Sequence, residues 1–314
     1  MKQKNNSKSK SQLLSLFVFI DAFGYELSKR YSFRDDVLNT KLPLDTVFGY
    51  SSTCDPTILT GKSPREHGHF SCFYYDPDNS PFYHYRWFDL IPGGFMDRGR
   101  IRGYLSRFMK RLHGYTGYFQ LYTVPFKTLQ YFNYSEKKSL FEPGGIINGQ
   151  PTIFDLLREY NIPHVMAGDV SRSESDNIQL LCDTVAKGSV SFAYCFLPYL
   201  DAVLHQYGTN AEQTAQQIAW CEGQLRKVIA LANEVYDDVR IFVFSDHGMT
   251  DVHSTCDLIP RIEALDLHFG RDYAAMYDST MARFWFLNDK AKKQIVGALD
   301  AEPKAGSVPD SLLQ

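Results

Sequence analysis

No Cys-x-x-Cys pair, no apolar run of bilayer length, no internal repeat and no strong excess of charge occurs in this chain, and each absence excludes a class. The six cysteines, at 54, 72, 182, 195, 221 and 256, are irregularly spaced and several sit in apolar segments. Free thiols in a reducing compartment therefore fit better than a disulfide framework, and a cytoplasmic setting is expected. No stretch approaches the ~20 apolar residues of a membrane span. A net charge of −3 gives no overall electrostatic case for nucleic acid or an anionic membrane surface. Lys2, Lys4, Lys8 and Lys10 precede the run Leu13 to Ile20 and superficially imitate a signal peptide. That run ends in Asp21 with no small-residue cleavage site after it, so a disordered basic tail over residues 1–11 followed by a core strand is expected.

With 314 residues, 44% hydrophobic and 22% charged, the composition is that of a globular protein able to bury a large core. The most informative stretch is Arg240-Ile241-Phe242-Val243-Phe244, closed by Ser245-Asp246-His247-Gly248-Met249. A short β-branched and aromatic run of this kind predicts a buried parallel strand that delivers Asp246 and His247 at its C-terminal end. Open α/β sheets bind their ligands at that end. Two more strand ends repeat the pattern. Leu16 to Ile20 runs into Asp21, and Val190 to Leu197 runs into a segment carrying Asp201 and His205, four apart and able to face one cation from a single helical turn. A surface i,i+4 pair is the plainer alternative for those two residues.

Strands alternate with helices over most of the chain. Helices are expected over 151–160, 178–186 and 210–235, with a further strand over 162–166. Ser51, Ser52 and Thr53 open a short helix that Thr60-Gly61 closes, and hydroxyls there serve either as caps or in the field that favours anions. From residue 70 to 148 the alternation stops. Aromatic side chains crowd this stretch, around a basic helical piece from Arg98 to His113, and it is expected to form an inserted cap that is either substrate-selecting or purely structural. The whole is expected to be one α/β domain over residues 12–314.

Mixed carboxylate and imidazole donors suit Zn²⁺ or a similar divalent ion, and two such ions side by side suit an in-line displacement at phosphorus. The order Val18-Phe19-Ile20-Asp21, Thr60-Gly61-Lys62-Ser63-Pro64-Arg65-Glu66-His67-Gly68, Asp201-x-x-x-His205-x-Tyr207-Gly208 and Ser245-Asp246-His247-Gly248-Met249 resembles the alkaline phosphatase superfamily, most closely its type I phosphodiesterase/nucleotide pyrophosphatase branch. The resemblance implies a mostly parallel central sheet with helices on both faces and the aromatic-rich stretch as the inserted cap. It further implies two divalent metal ions, one held by Asp21, Ser51, Asp246 and His247, the other by Asp201, His205 and one further histidine. Ser51, nine residues before Thr60, matches the family nucleophile, with Ser52 its neighbouring alternative. The activity implied is hydrolysis of phosphodiesters or phosphomonoesters through a phosphoseryl intermediate, on a small phosphate ester or nucleotide-like substrate.

Two departures qualify that match. Cys54 stands where related phosphodiesterases carry an asparagine that helps bind phosphoryl oxygens. The last metal histidine has no evident counterpart, because only His253 and His268 follow His247; the expectation is that the C-terminal part of the family domain is missing and the second metal site incomplete. A non-catalytic metal- or ligand-binding relative, and a sulfatase or phosphotransferase on the same scaffold, are the alternatives. Oligomeric state is left open.

Overall fold

The computed structural model describes residues 11–34, 36–91, 98–122 and 124–308; the basic tail expected over residues 1–11 lies outside them except for Ser11. The chain divides into two compact units, one combining the residues up to Thr46 with Asp155–Val252, the other combining Val47–Phe154 with the residues from His253 onward. In chain order the strands are β1 (Ser11–Ile20), β2 (Phe73–Tyr75), β3 (Phe132–Tyr134), β4 (His164–Ala167), β5 (Phe192–Leu197), β6 (Tyr236–Phe244), β7 (Tyr273–Tyr277) and β8 (Ala282–Phe286).

The first unit is the α/β part, and it has the expected mostly parallel sheet. Its strands run β4-β5-β1-β6, with every pairing parallel. Parallel strands buried on both sides read as continuous apolar runs, and β1 shows how the two faces divide. Leu14, Leu16, Val18 and Ile20 are buried on one face with the helices Glu174–Val185 and Glu212–Val235 contributing to the same core. Each such side chain is worth roughly 1.5–3 kcal/mol of burial. On the other face Phe19 stacks between its two register partners, with ring centroids 4.8 Å from Phe196 and 5.3 Å from Phe244. The helix Glu212–Val235 presents Ile218, Cys221, Leu225, Val228 and Ile229 as its buried stripe, at the spacing its sequence implies.

The second unit is built around the aromatic stretch, but not from it alone. β2 and β3 pair antiparallel, and β7 and β8 form a separate antiparallel hairpin. Phe73, Phe82, Phe119, Phe132 and Tyr134 share one core with Ala274 and Met276 of β7, and Trp285 of β8 packs on it. The C-terminal hairpin, which the sequence pattern did not disclose, therefore completes the core of the stretch expected as a cap.

Two turns in the first unit meet backbone to backbone. A methyl group added at Gly24, just after β1, would lie 2.5 Å from Gly248 Cα and 3.0 Å from Gly248 N, just after β6. Only glycine allows that approach. Gly24→Ala is accordingly expected to cost about 1–3 kcal/mol, the range for forced overpacking. The cost would show as a lower urea midpoint at unchanged slope, and a wild-type midpoint would mean that the turns have room to separate.

Candidate functional site

The parallel register decides where the acidic residues arrive. Ile20 pairs with Leu197, and Phe19 pairs with Phe244, so β1, β5 and β6 end at one edge and the chain leaves each of them into a polar turn. Asp21 follows β1 directly, its N–H donating to Leu197 O at 3.1 Å. Ala22 takes a left-handed conformation (φ 59°) and its N–H donates to Asp246 Oδ1 at 3.2 Å. The turn after β1 thus holds the carboxylate that follows β6.

Asp246 is buried, and its Oδ2 lies 3.2 Å from His247 Nε2. That same nitrogen is 3.8 Å from Asp21 Oδ1. His247 Nδ1 lies 2.8 Å from Gly248 O; read as N–H donating to the carbonyl, this turns Nε2 toward the carboxylates as an acceptor or ligand. Ser245 Oγ donates to His247 O at 2.8 Å and pins the loop that carries both residues.

Asp201 lies in the first turn of the helix Tyr199–Tyr207, where the helix field favours a carboxylate. Its ligand atom and those of Asp21 and His247 all fall within 4.8 Å of one another, and among the described residues no other group of three or more His, Cys, Asp or Glu side chains does so. His205, one turn on, places Nε2 3.4 Å from Asp201 Oδ1, with its side chain 62% exposed. The i,i+4 placement read from the sequence is therefore observed. Asp201 thus lies close to Asp21 and His247 as well as to His205.

A cation fits this donor set. Burial pushes the Asp201 carboxyl above its ordinary range, His205 and His247 oppose the rise, and the charge of Asp246 adds to it. Asp201 Oδ1 is buried and, among the described residues, accepts no hydrogen bond. Three carboxylates brought this close repel one another unless positive charge lies among them. Oxygen and nitrogen ligands around one tetrahedral Zn²⁺ stand about 3.4 Å apart, which small side-chain shifts would reach from the observed separations.

One residue that sequence reasoning missed braces the loop. Asp251 accepts from Thr209 N–H at 2.7 Å, Thr209 Oγ1 at 2.9 Å and Asn210 Nδ2 at 3.1 Å. It ties the loop after Asp246-His247 to the end of the helix carrying Asp201 and His205. A carboxylate two residues after the Gly248-Met249 pair carries no sequence signal for this role, since its partners lie about forty residues away.

Ser51 belongs to the second unit, as the first residue of the helix Ser51–Thr60. The turn into that helix is unusual. Gly49 (φ 126°) is followed by Tyr50 at φ 66°, a left-handed conformation that costs a non-glycine residue of order 1–3 kcal/mol and clusters at functional sites. Tyr50 is anchored through its hydroxyl, 2.8 Å from Thr280 Oγ1 and accepting from Thr280 N–H at 3.1 Å. Ser52 and Thr53 both donate to Gly49 O, at 3.1 and 2.9 Å, so their hydroxyls fasten the turn. Cys54 is buried in the same helix.

Two histidines hold this helix: His67, part of the motif over residues 60–68 but given no role there, and His69, which the sequence reading did not name. Thr57 Oγ1 donates to Thr53 O at 3.0 Å and lies 3.0 Å from His67 Nε2, while His67 Nδ1 accepts from His69 N–H at 3.0 Å. His69 Nε2 accepts from Ile147 N–H at 3.0 Å. Both rings accept at one nitrogen and are buried, which fixes the neutral form of each. Burial lowers both from 6.5 to about 4, with the charge of Glu66 opposing for His67 and the neighbouring His67 adding for His69. Among the later histidines, His253 is exposed, and His268 Nδ1 accepts from Arg271 at 2.7 Å and lies 3.6 Å from Asp272.

A further polar group lies in the second unit beside Ser52. The Cys72 thiol is pushed up to about 11 by burial first and by Glu136 next, and it touches the hydroxyls of Tyr134 and Ser52. Burial carries Glu136 up to about 7 against the N–H that Tyr118 donates to it at 3.0 Å. Arg283 pairs with Asp278 at 2.6 Å and donates to Phe73 O at 3.1 Å.

With this geometry in hand, comparison with known proteins is informative. The family model "Type I phosphodiesterase / nucleotide pyrophosphatase" matches residues 42–302. Murine ectonucleotide pyrophosphatase / phosphodiesterase 5 superposes with a TM-score of 0.59 at 16% identity, covering 93% of this chain and 71% of that one. An inactive form of the same murine protein, in complex with AMP, gives 0.58 at 15% over the same shares. The human protein of that name gives 0.57 at 14%, again over 93% and 71%. At these identities the likeness shows the fold. No curated protein sequence gives a significant match.

The buried histidines generate a pH prediction. Because His67 and His69 titrate lower in the folded chain than in the unfolded one, the unfolded chain binds more protons between about pH 4 and 6.5, and stability falls as pH drops through that window. Glu136 acts in the opposite sense: its carboxyl is raised, so its contribution is present at low pH and lost as pH rises toward 7. A variant comparison cancels the Glu136 effect. His69→Gln keeps an acceptor for Ile147 N–H and removes the charge, so its urea midpoint should change less between pH 7 and pH 5 than that of the wild type. Equal changes in both proteins would show that His69 is not held neutral by burial.

Proposed function

The chain belongs to the type I phosphodiesterase / nucleotide pyrophosphatase family, whose members hydrolyse phosphodiester and pyrophosphate bonds, and from that premise we propose a metal-dependent hydrolase acting through a phosphoseryl enzyme at Ser51. The observation that carries the reading is the convergence of Asp21, Asp201 and His247, with Asp246 against His247, at the C-terminal edge of the parallel sheet. The substrate class proposed is a small phosphodiester or pyrophosphate of nucleotide type. The AMP complex of the murine relative supports that choice.

Asp21, Asp201, His205, Asp246 and His247 would hold two divalent cations, Zn²⁺ by their mixture of oxygen and nitrogen donors, which supply Lewis-acid charge to a phosphoryl group and favour the ionised form of a hydroxyl nucleophile. Ser51 Oγ forms the new bond to phosphorus while the bond from phosphorus to the leaving oxygen breaks, and the leaving group departs with a proton. Water then adds to the phosphoseryl phosphorus and the Ser51 Oγ–P bond breaks, which regenerates the serine. Ser51 is favoured over Ser52 by its nine-residue spacing to Thr60. The N-terminal turn of the helix Ser51–Thr60 offers a field suited to the anion.

A second reading is a metal- or ligand-binding relative of low turnover. Cys54, a weak hydrogen-bond donor, and the engagement of His268 with Arg271 and Asp272 favour it. Sulfatase or phosphotransferase chemistry would use the same residues on a different ester or acceptor.

Three outcomes separate these readings. Zinc-loaded protein should hydrolyse bis(p-nitrophenyl) phosphate, and Ser51→Ala should abolish turnover and phosphoenzyme labelling while leaving the fold, read as the thermal midpoint, intact. Full turnover in Ser51→Ala with loss in Ser52→Ala would transfer the role by one residue. Zinc bound without any turnover in the wild type would select the binding reading. In calorimetric titration with Zn²⁺, His247→Ala and Asp201→Ala should each weaken binding by more than about 100-fold, since outer partners alone carry ~10–100-fold. The exposed His205 should matter less, and equal losses at all three would contradict the arrangement described.

A further inference from the structure

The basic piece noted in the sequence is the helix Gly99–Leu112, and its outward face has a composition that no catalytic role accounts for. Its inner face buries Arg102, Ser106 and Met109. Arg102 is spent there, donating to Val124 O at 2.8 Å with its guanidinium 4.2 Å from the Phe126 ring. Facing out are Tyr104, Phe108 and Leu112, which are 67%, 58% and 62% exposed. The i, i+4, i+8 spacing places them in one continuous apolar stripe.

Beside that stripe run Arg100, Arg107 and Arg111, all exposed. Arg107 lies over the Tyr104 ring at 4.7 Å, so the two stripes touch. The helix contains no acidic residue. Although the chain as a whole carries a net charge of −3, this face is cationic and apolar together.

We propose that this helix face docks the protein onto an anionic lipid surface, with Tyr104, Phe108 and Leu112 entering the boundary between headgroups and acyl chains and Arg100, Arg107 and Arg111 meeting lipid phosphates. The argument is charge complementarity combined with shape. An interfacial helix needs an apolar stripe flanked by cations on one face, whereas recognition of a helical peptide needs a groove to receive it. Water leaves the three exposed apolar side chains only if something covers them, and the adjoining arginines restrict that partner to an anionic one.

The test uses the full chain and sedimentation with vesicles of phosphatidylcholine, alone or mixed with phosphatidylserine. Association is expected with the mixed vesicles, not with phosphatidylcholine alone, and should weaken as salt rises. Arg107→Gln and Arg111→Gln should each reduce partitioning about fivefold, the equivalent of ~1 kcal/mol per cationic side chain near such a surface. Phe108→Ser with Leu112→Ser should abolish association at every salt concentration. These side chains point outward, so thermal unfolding should stay at the wild-type midpoint. Were the double variant to misfold, Tyr104→Ser alone should still reduce partitioning. No association of folded wild-type protein, or equal association by the variants, would overturn the proposal. Capture of a soluble acidic helical peptide in place of vesicles would overturn it in favour of a protein partner.

Discussion

Electrostatic crowding at one edge of the parallel sheet is the constraint on which the first unit depends. β1 pairs with β5 and β6 at once, so their C-terminal ends are held level, and the carboxylates of Asp21, Asp201 and Asp246 come together whether or not their charges favour it. A slip of one residue in either pairing would turn the core residues Leu16, Val18 and Ile20 outward. The hydrophobic alternation of β1 therefore fixes the place of the acidic residues more firmly than any contact among them. The loops that carry these charges are held in the same unit by the close approach of Gly24 to Gly248 and by the brace from Asp251 to Thr209.

The second unit solves a different local problem, the presentation of a serine at the first residue of a helix. Tyr50 sits in a left-handed conformation before Ser51, and such strain persists only where its surroundings over-determine it. Those surroundings are visible. Thr280 holds the Tyr50 hydroxyl, Gly49 O receives Ser52 and Thr53, and Thr57 meets the neutral pair His67 and His69. Burial displaces the Cys72 thiol and the Glu136 carboxyl toward their neutral forms.

Charge averaged over a chain conceals how charge is arranged. Asp21, Asp201 and Asp246 concentrate negative charge at one sheet edge, while every charged side chain of Gly99–Leu112 is a cation. Both arrangements disappear in the total of −3, and both follow from which residues a strand register or a helical period brings to one side.

The sequence by itself determined β1 and β5, because core burial requires the apolar runs that end at Ile20 and Leu197. The run ending at Phe244 is a strand as expected, but it lies at the sheet edge and is not buried, with Phe242 46% exposed. The sequence also determined the helical pairing of Asp201 with His205, a matter of 3.6-residue geometry within one turn. Motif order was enough to bring out the type I phosphodiesterase resemblance. Contacts distant in sequence were decided only in three dimensions. Asp201 joined Asp21 and His247 because β5 lies beside β1, an adjacency no local pattern encodes. The aromatic stretch acquired β7 and β8 as part of its core because exposed rings gain most from whatever apolar surface the chain returns to them, and that surface comes from more than a hundred residues away. His67, quoted only as part of a motif, and His69 acquired a role only through burial, which removes the water that would have protonated them and which only the tertiary fold supplies.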